Sequence, residues 1–196
     1  LDALYNLRTD ISVIGIDLSP DMLDALMKKH GDKDLTLLCG SYFAVPFPGA
    51  FDAVISFESL HHFSREKKLG LYRRICEALR PGGVFLNGDY MVESEEEERV
   101  LMDECARLRK EQGIPEDVFV HFDTPLAVDA EIELLKHAGF ACVEELWRQG
   151  NTTLLRAVRE KSDEALAGRM SAAVFESTVS PSHPEYKSCL RKVFSI

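Results

Sequence analysis

The sequence predicts an α/β fold: a mostly parallel sheet with helices on both faces, closed by an antiparallel hairpin. Three observations predict it. Short apolar runs at Ser12–Asp17, Leu35–Cys39, Phe51–Phe57 and residues 84–89 alternate with helical periodicities, the signature of βαβ crossovers. Phe51–Phe57 shows almost no polar alternation, as expected of a strand covered on both faces. Residues 141–148 and 152–158 are strand-like and flank the turn Gln149-Gly150-Asn151.

The elements follow in order. Asp2–Leu7 reads as the tail of a helix, with Ala3, Leu4 and Leu7 on one side. After Ser12–Asp17, Ser19 is an N-cap and Pro20 suits the first helical position, so a helix runs to His30 and stops at Gly31. Leu35–Cys39 is followed by a loop over 40–49. Ser64 caps a helix in which Leu69, Tyr72, Cys76 and Leu79 recur three or four apart, and Pro81-Gly82-Gly83 stops it. Residues 93–112 break the rhythm. There, Ser94 caps a helix that begins Glu95-Glu96-Glu97-Glu98, placing acid at the positive end of its dipole. An irregular connector over 112–127 leads to a helix burying Ile132 and Leu135 and ending at Gly139. From Lys161 onward the pattern fails. Residues 170–179 read either as a strand or as an unstructured tail, and no role is assigned to 161–196.

Composition narrows the function. With 196 residues and 45% apolar content the chain can bury one sizeable core. A net charge of −10 argues against a broad electrostatic grip on nucleic acid or an anionic membrane. No apolar run approaches the roughly 20 residues needed to span a bilayer, and no basic-then-apolar signal opens the chain. Five cysteines, Cys39, Cys76, Cys105, Cys142 and Cys189, are odd in number, widely spaced and free of any Cys-x-x-Cys. They read as reduced core residues of a cytoplasmic protein.

Three segments carry a family resemblance: Ile14-Gly-Ile-Asp17-Leu-Ser-Pro-Asp-Met22, the run from Phe51 to Phe63 ending Ser-Phe-Glu-Ser-Leu-His-His-Phe, and Leu79-Arg-Pro-Gly-Gly-Val-Phe-Leu-Asn-Gly-Asp-Tyr90. In this order, over residues 11–158, the chain resembles the class I S-adenosylmethionine-dependent methyltransferases. The resemblance implies a Rossmann-like sheet, S-adenosylmethionine as cofactor and methyl transfer to a small organic acceptor. It divides the chain into a methyltransferase-like domain over 1–160, with an inserted helical and lid segment at 93–127, and a C-terminal extension over 161–196. A homodimer is compatible with this reading.

The site residues are expected as follows. Asp17 ends the family's second strand, where a carboxylate accepts two hydrogen bonds from the vicinal hydroxyls of a ribose. The resemblance sets Leu18 and Met22 against the adenine; on its own, Met22 reads as core. Gly40-Ser41-Tyr42 stands where the family most often has Gly-Asp-Ala, so Ser41 would offer an uncharged acceptor and the Tyr42 N–H a donor to the base. Ser56 and Phe57 would meet the methionine end of the cofactor, and the acceptor would lie near Glu58, His61 and His62. Each of these three could take an acceptor proton, although paired histidines also serve as simple packing. Metal binding is not expected, because adjacent histidines rarely present both rings to one ion without further ligands nearby. The acceptor would be chosen by residues 90–127: Tyr90, Met91, the acidic helix, then Phe119, His121, Phe122 and Asp123, of which 119–122 read either as a lid with aromatic contacts to an organic acceptor or as an amphipathic segment packing on the core.

One part of the pattern is absent. The family's first strand and its Gly-rich loop precede the helix that ends near Leu7, and the strand lies between the second and fourth strands. Three arrangements could fill that place: a preceding segment, the favoured one, a partner chain, or residues 170–179 in a rearranged sheet. Two other functions were weighed. A methyltransferase-like binding module without turnover would suit Ser41 and the absent loop. A nicotinamide-dependent oxidoreductase is disfavoured by the closing hairpin and by the lack of a Tyr-x-x-x-Lys pair.

Overall fold

The computed structural model describes residues 1–115, 118, 120–161 and 171–176, the last six as backbone. The elements run α1 (Asp2–Leu7), β1 (Ser12–Asp17), α2 (Pro20–His30), β2 (Leu35–Cys39), β3 (Phe51–Phe57), α3 (Arg65–Ala78), β4 (Leu79–Tyr90), α4 (Glu95–Gln112), α5 (Val128–His137), β5 (Phe140–Gln149), β6 (Thr152–Arg159) and β7 (Ser171–Glu176). They build one seven-stranded sheet in the order β2-β1-β7-β3-β4-β6-β5. The first five strands of that order are parallel, and β6 and β5 run antiparallel as the closing hairpin.

The predicted caps form. Ser19 Oγ accepts from Met22 N, Ser64 Oγ from Lys67 N and Ser94 Oγ from Glu97 N. Pro81-Gly82-Gly83 behaves differently from expectation. α3 ends earlier, at Ala78, and the strand runs from Leu79 through Pro-Gly-Gly, with a register shift against β3 between Phe51 and Ala53.

Alternation along the strands sends side chains to two cores. Val54, Phe85, Leu155 and Ala157 face α3 and α5, meeting Leu71, Ile75, Leu134 and Leu135. Ala53, Ile55, Leu86 and Leu154 face the other way, with Leu4 and Tyr5 of α1. Helices therefore cover both faces, the arrangement that lets inner strands be apolar throughout. A polar network crosses the first core. Lys68, 1% exposed, donates to Glu131, 0% exposed, at 2.9 Å, and the Tyr72 hydroxyl donates to the same carboxylate. Of the two α5 positions expected to be buried, Leu135 is, while Ile132 is only partly so.

The vacant central place is taken by β7. Its backbone pairs in parallel with β1 over Ser12 to Ile16 and with β3 over Ala53 to Phe57. This is the third of the arrangements weighed from the sequence, and a strand of the expected extension thereby joins the main sheet. The cysteine expectation needs correction: Cys76 is buried, but Cys39 and Cys142 are exposed and Cys105 is half-buried. Cys189 lies outside the described residues. No helix among the described residues is long and apolar enough to cross a membrane.

Candidate active site

The parallel strands all end on one edge. Register places Asp17 beside Cys39 and Phe57 beside Gly88, so the loops after β1, β2, β3 and β4 emerge together. Ligands of open α/β sheets gather at such carboxyl ends.

On the β1 side, Asp17 Oδ1 accepts from Ser19 N at 2.8 Å, which fixes the carboxylate at the head of α2. Leu18 is 64% exposed and Met22 37% exposed, so Met22 is a surface residue rather than core. Asp17 and Met22, with Ile16 and Leu23, line a cleft of about 200 Å³. Gly40 N donates to the Asp17 carbonyl at 2.9 Å, bringing the 40–47 loop alongside. That loop is held from behind by Arg74 of α3, whose guanidinium donates to the Tyr42 carbonyl at 2.8 Å and lies 4.5 Å from the Phe47 ring centroid. Ser41 turns inward on its own loop, with Oγ accepting from Phe43 N at 3.2 Å. The Tyr42 hydroxyl donates to the Ser59 carbonyl at 3.0 Å, and burial pushes its pKa up to about 12.

On the β3 side, Ser56 is 1% exposed and its Oγ has no hydrogen-bond partner among the described residues. A buried hydroxyl without a partner costs free energy, and such groups concentrate where a ligand completes them. Phe57 is buried, and its ring lies so near Gly88 that a Cβ there would come within 2.5 Å of it. The chain then turns sharply at Glu58, whose φ of 47° lies in the left-handed region that side chains seldom adopt. Burial, then the nearby Asp89 charge, raise the Glu58 carboxyl above its ordinary range.

The histidines are organised by a residue that sequence reading missed. Asp89, 1% exposed near the end of β4, accepts from Leu60 N at 2.9 Å, from Tyr90 N at 3.0 Å and contacts His61 Nδ1 at 2.6 Å. This fixes the imidazole and leaves Nε2 facing outward, 3.5 Å from Asp123 Oδ1. Burial is the largest single influence on His61 and lowers its pKa. The Asp89 hydrogen bond and charge, with Asp123 and Glu58, outweigh it and raise the net value. His62 Nδ1 lies 3.2 Å from the same Asp123 oxygen and 3.3 Å from the Phe122 carbonyl; burial and then His61 lower its pKa. Asp123 is held in place because Thr124 N donates to the His61 carbonyl at 2.9 Å.

The structure thus brings Asp17, Leu18, Met22, Ser41, Tyr42, Ser56, Phe57, Glu58, His61 and His62 to one sheet edge. Of the candidates over 90–127, Tyr90 stands edge-on to His61 at 5.9 Å and His121 edge-on to His62 at 5.1 Å. Met91 is fully buried and so packs in the core, and Phe119 lies outside the described residues. A cleft of about 220 Å³ opens beside His62 between Phe63, Met102, Phe122 and Thr124.

Comparison with known proteins points the same way. Residues 2–83 match the family model of the methyltransferase domain. The chain is 27% identical over 171 residues to the carboxy-S-adenosyl-L-methionine synthase of Desulfotalea psychrophila, covering 78% of this chain and 66% of that protein. Residues 2–83 are thus similar to the methyltransferase domain. An uncharacterized methyltransferase of Oceanobacillus iheyensis is 30% identical over 108 residues, covering 55% of this chain and 49% of that protein. The solved structure of PigF with SAH superposes with a TM-score of 0.62 at 17% identity, over 81% of this chain and 46% of that chain. The chain therefore spans two thirds or less of the curated relatives it matches best here.

Proposed function

We propose that this chain binds S-adenosylmethionine across the β1, β2 and β3 ends and transfers its methyl group to a small organic acceptor seated beside His61. The observation that carries the reading is the orphaned, buried Ser56 hydroxyl on the same edge as the fixed Asp17 carboxylate and the exposed Leu18 and Met22 side chains. A polar acceptor pair, an apolar platform and an unsatisfied hydroxyl match an adenosine with an amino-acid tail. In this reading Asp17 holds the ribose, Leu18 and Met22 cover the adenine, Ser41 and Tyr42 border it, and Ser56 and Phe57 meet the methionine end.

The bound sulfonium supplies an activated methyl group, so the protein's share is mainly alignment of the acceptor in line with it. His61, tethered through Nδ1 by Asp89, presents Nε2 to the acceptor's proton, with His62 and Glu58 on either side. The −10 net charge favours a small acceptor over nucleic acid.

The deciding experiment is a calorimetric titration of the purified chain with S-adenosylhomocysteine. Micromolar binding is expected, and absence of heat from a folded chain would overturn the reading.

A further inference from the structure

We propose that His61, His62 and Asp123 form a binding site for a divalent cation of the zinc class, with an open position facing the acceptor. Adjacent histidines could share an ion only if they offered different nitrogens and a third ligand approached from another element, and both conditions are met. His61 offers Nε2 and His62 offers Nδ1, and the loop carrying Asp123 brings Oδ1 between them at 3.5 Å and 3.2 Å. All three ligand atoms lie within 4.8 Å of one another. A tetrahedral ion with bonds of about 2.0–2.1 Å spaces its ligand atoms about 3.4 Å apart. The two measured edges bracket that value, whereas charge-assisted hydrogen bonds are shorter, at about 2.7–2.9 Å.

The surroundings fit as well. A metal-binding imidazole almost always donates its other N–H to a carboxylate, which fixes the ring and strengthens the ligand. Asp89, buried and 2.6 Å from His61 Nδ1, is that partner. The loop is pinned by the Thr124 N–H on the His61 carbonyl, so Asp123 keeps its distance from both rings without resting on either backbone nitrogen. Two imidazoles and one carboxylate with a free fourth position form the donor set of hydrolytic zinc centres, and suit a borderline cation better than magnesium or calcium, which demand oxygen. Asp123 is 53% exposed at the side chain, so the site is open to solvent on that side.

The consequence for catalysis rests on the function proposed above. An ion on Nε2 occupies that nitrogen's lone pair, so base catalysis there gives way to acidification of an acceptor hydroxyl bound in the fourth position. Its proton passes to solvent, the oxygen bonds the methyl carbon, and the sulfonium C–S bond breaks to leave a neutral thioether. The acceptor class is then a hydroxyl rather than an amine.

The test is titration of the tag-free, chelator-treated chain with Co²⁺, followed by visible absorption, and with Zn²⁺ by calorimetry. The expected result is one ion per chain and a ligand-field band typical of four-coordinate cobalt. His62→Ala and Asp123→Ala should each abolish the band, and Asp89→Asn should weaken Zn²⁺ binding by about 10- to 100-fold. S-adenosylhomocysteine affinity should not change in His62→Ala, which also reports that the variant is folded. Absence of the band, or its survival in both ligand variants, overturns the site. Loss of S-adenosylhomocysteine binding in the unmodified chain would instead overturn the methyltransferase reading and leave the cation site standing.

Discussion

At the scale of single residues, the site depends on carboxylates whose geometry is fixed before any ligand arrives. Asp17 is already oriented by Ser19 N, so no rearrangement is needed to meet a ribose. Asp17→Ala should weaken S-adenosylhomocysteine binding by about 1.5–3 kcal/mol, the worth of hydrogen bonds to a charged group; unchanged affinity in calorimetry would remove Asp17 from the site. With the acceptor seated beside His61 as proposed, His61→Ala should lower kcat while leaving cofactor affinity nearly intact, because Nε2 points to Asp123 and not to the proposed cofactor contacts. Steady-state kinetics showing full kcat would exclude an essential role. Asp17, Ser41, Ser56 and the histidines could be read from sequence because each sits in a short motif at the end of a strand. Asp89 could not, and Asp123 was legible only as part of the inserted segment, not as a partner of the histidines. Asp89 reads there as an ordinary strand end, and its value comes from the β3–β4 register that sets it against Leu60 and His61. Asp123 reaches the histidines from about sixty residues away through one backbone hydrogen bond.

At the scale of elements, α3 and α5 are joined by more than apolar packing. Lys68 and Glu131 are both essentially excluded from solvent, and the Tyr72 hydroxyl donates to the same carboxylate. Breaking such a pair strands a buried charge. Glu131→Ala should cost about 3–5 kcal/mol in urea unfolding, whereas the double replacement Lys68→Met with Glu131→Leu should restore most of that loss. A double variant as unstable as the single one would show that the network specifies the helix packing beyond charge balance. From sequence, the periodicity of α3 marked its apolar face but hid Lys68, because a lysine in a run of charged residues reads as solvated. Only the approach of α5 reveals that the side chain is enclosed.

At the scale of the molecule, the sheet is continuous only because β7 lies between β1 and β3. Its backbone serves both neighbours, and Val174 pairs with Gly15 on one side and Ile55 on the other. Proline has no N–H to give and is confined to edges and bulges of sheets. Val174→Pro should therefore destabilise the fold by about 3 kcal/mol or more, read as a lower denaturation midpoint by circular dichroism. An unchanged midpoint would mean that β7 contributes little to the sheet. The alternating order of strands and helices, and the hairpin, were legible because each is a local pattern. The place of β7 was not, since five apolar or small residues followed by Glu carry no information about which two strands they will join.

The central position of β7 also orders events during synthesis. The pair β1–β2 and the group β3–β4–β6–β5 leave the ribosome first, and neither can register against the other until residues 171–176 have been translated. The nascent chain thus carries two half-sheets with unpaired inner edges for most of its elongation, a state open to pairing with other chains. The proposed adenosine loops after β1 and β2 lie on one side of that seam, and Ser56 with the proposed acceptor loops on the other. A ligand-competent site therefore waits on β7, which follows every other described strand along the chain.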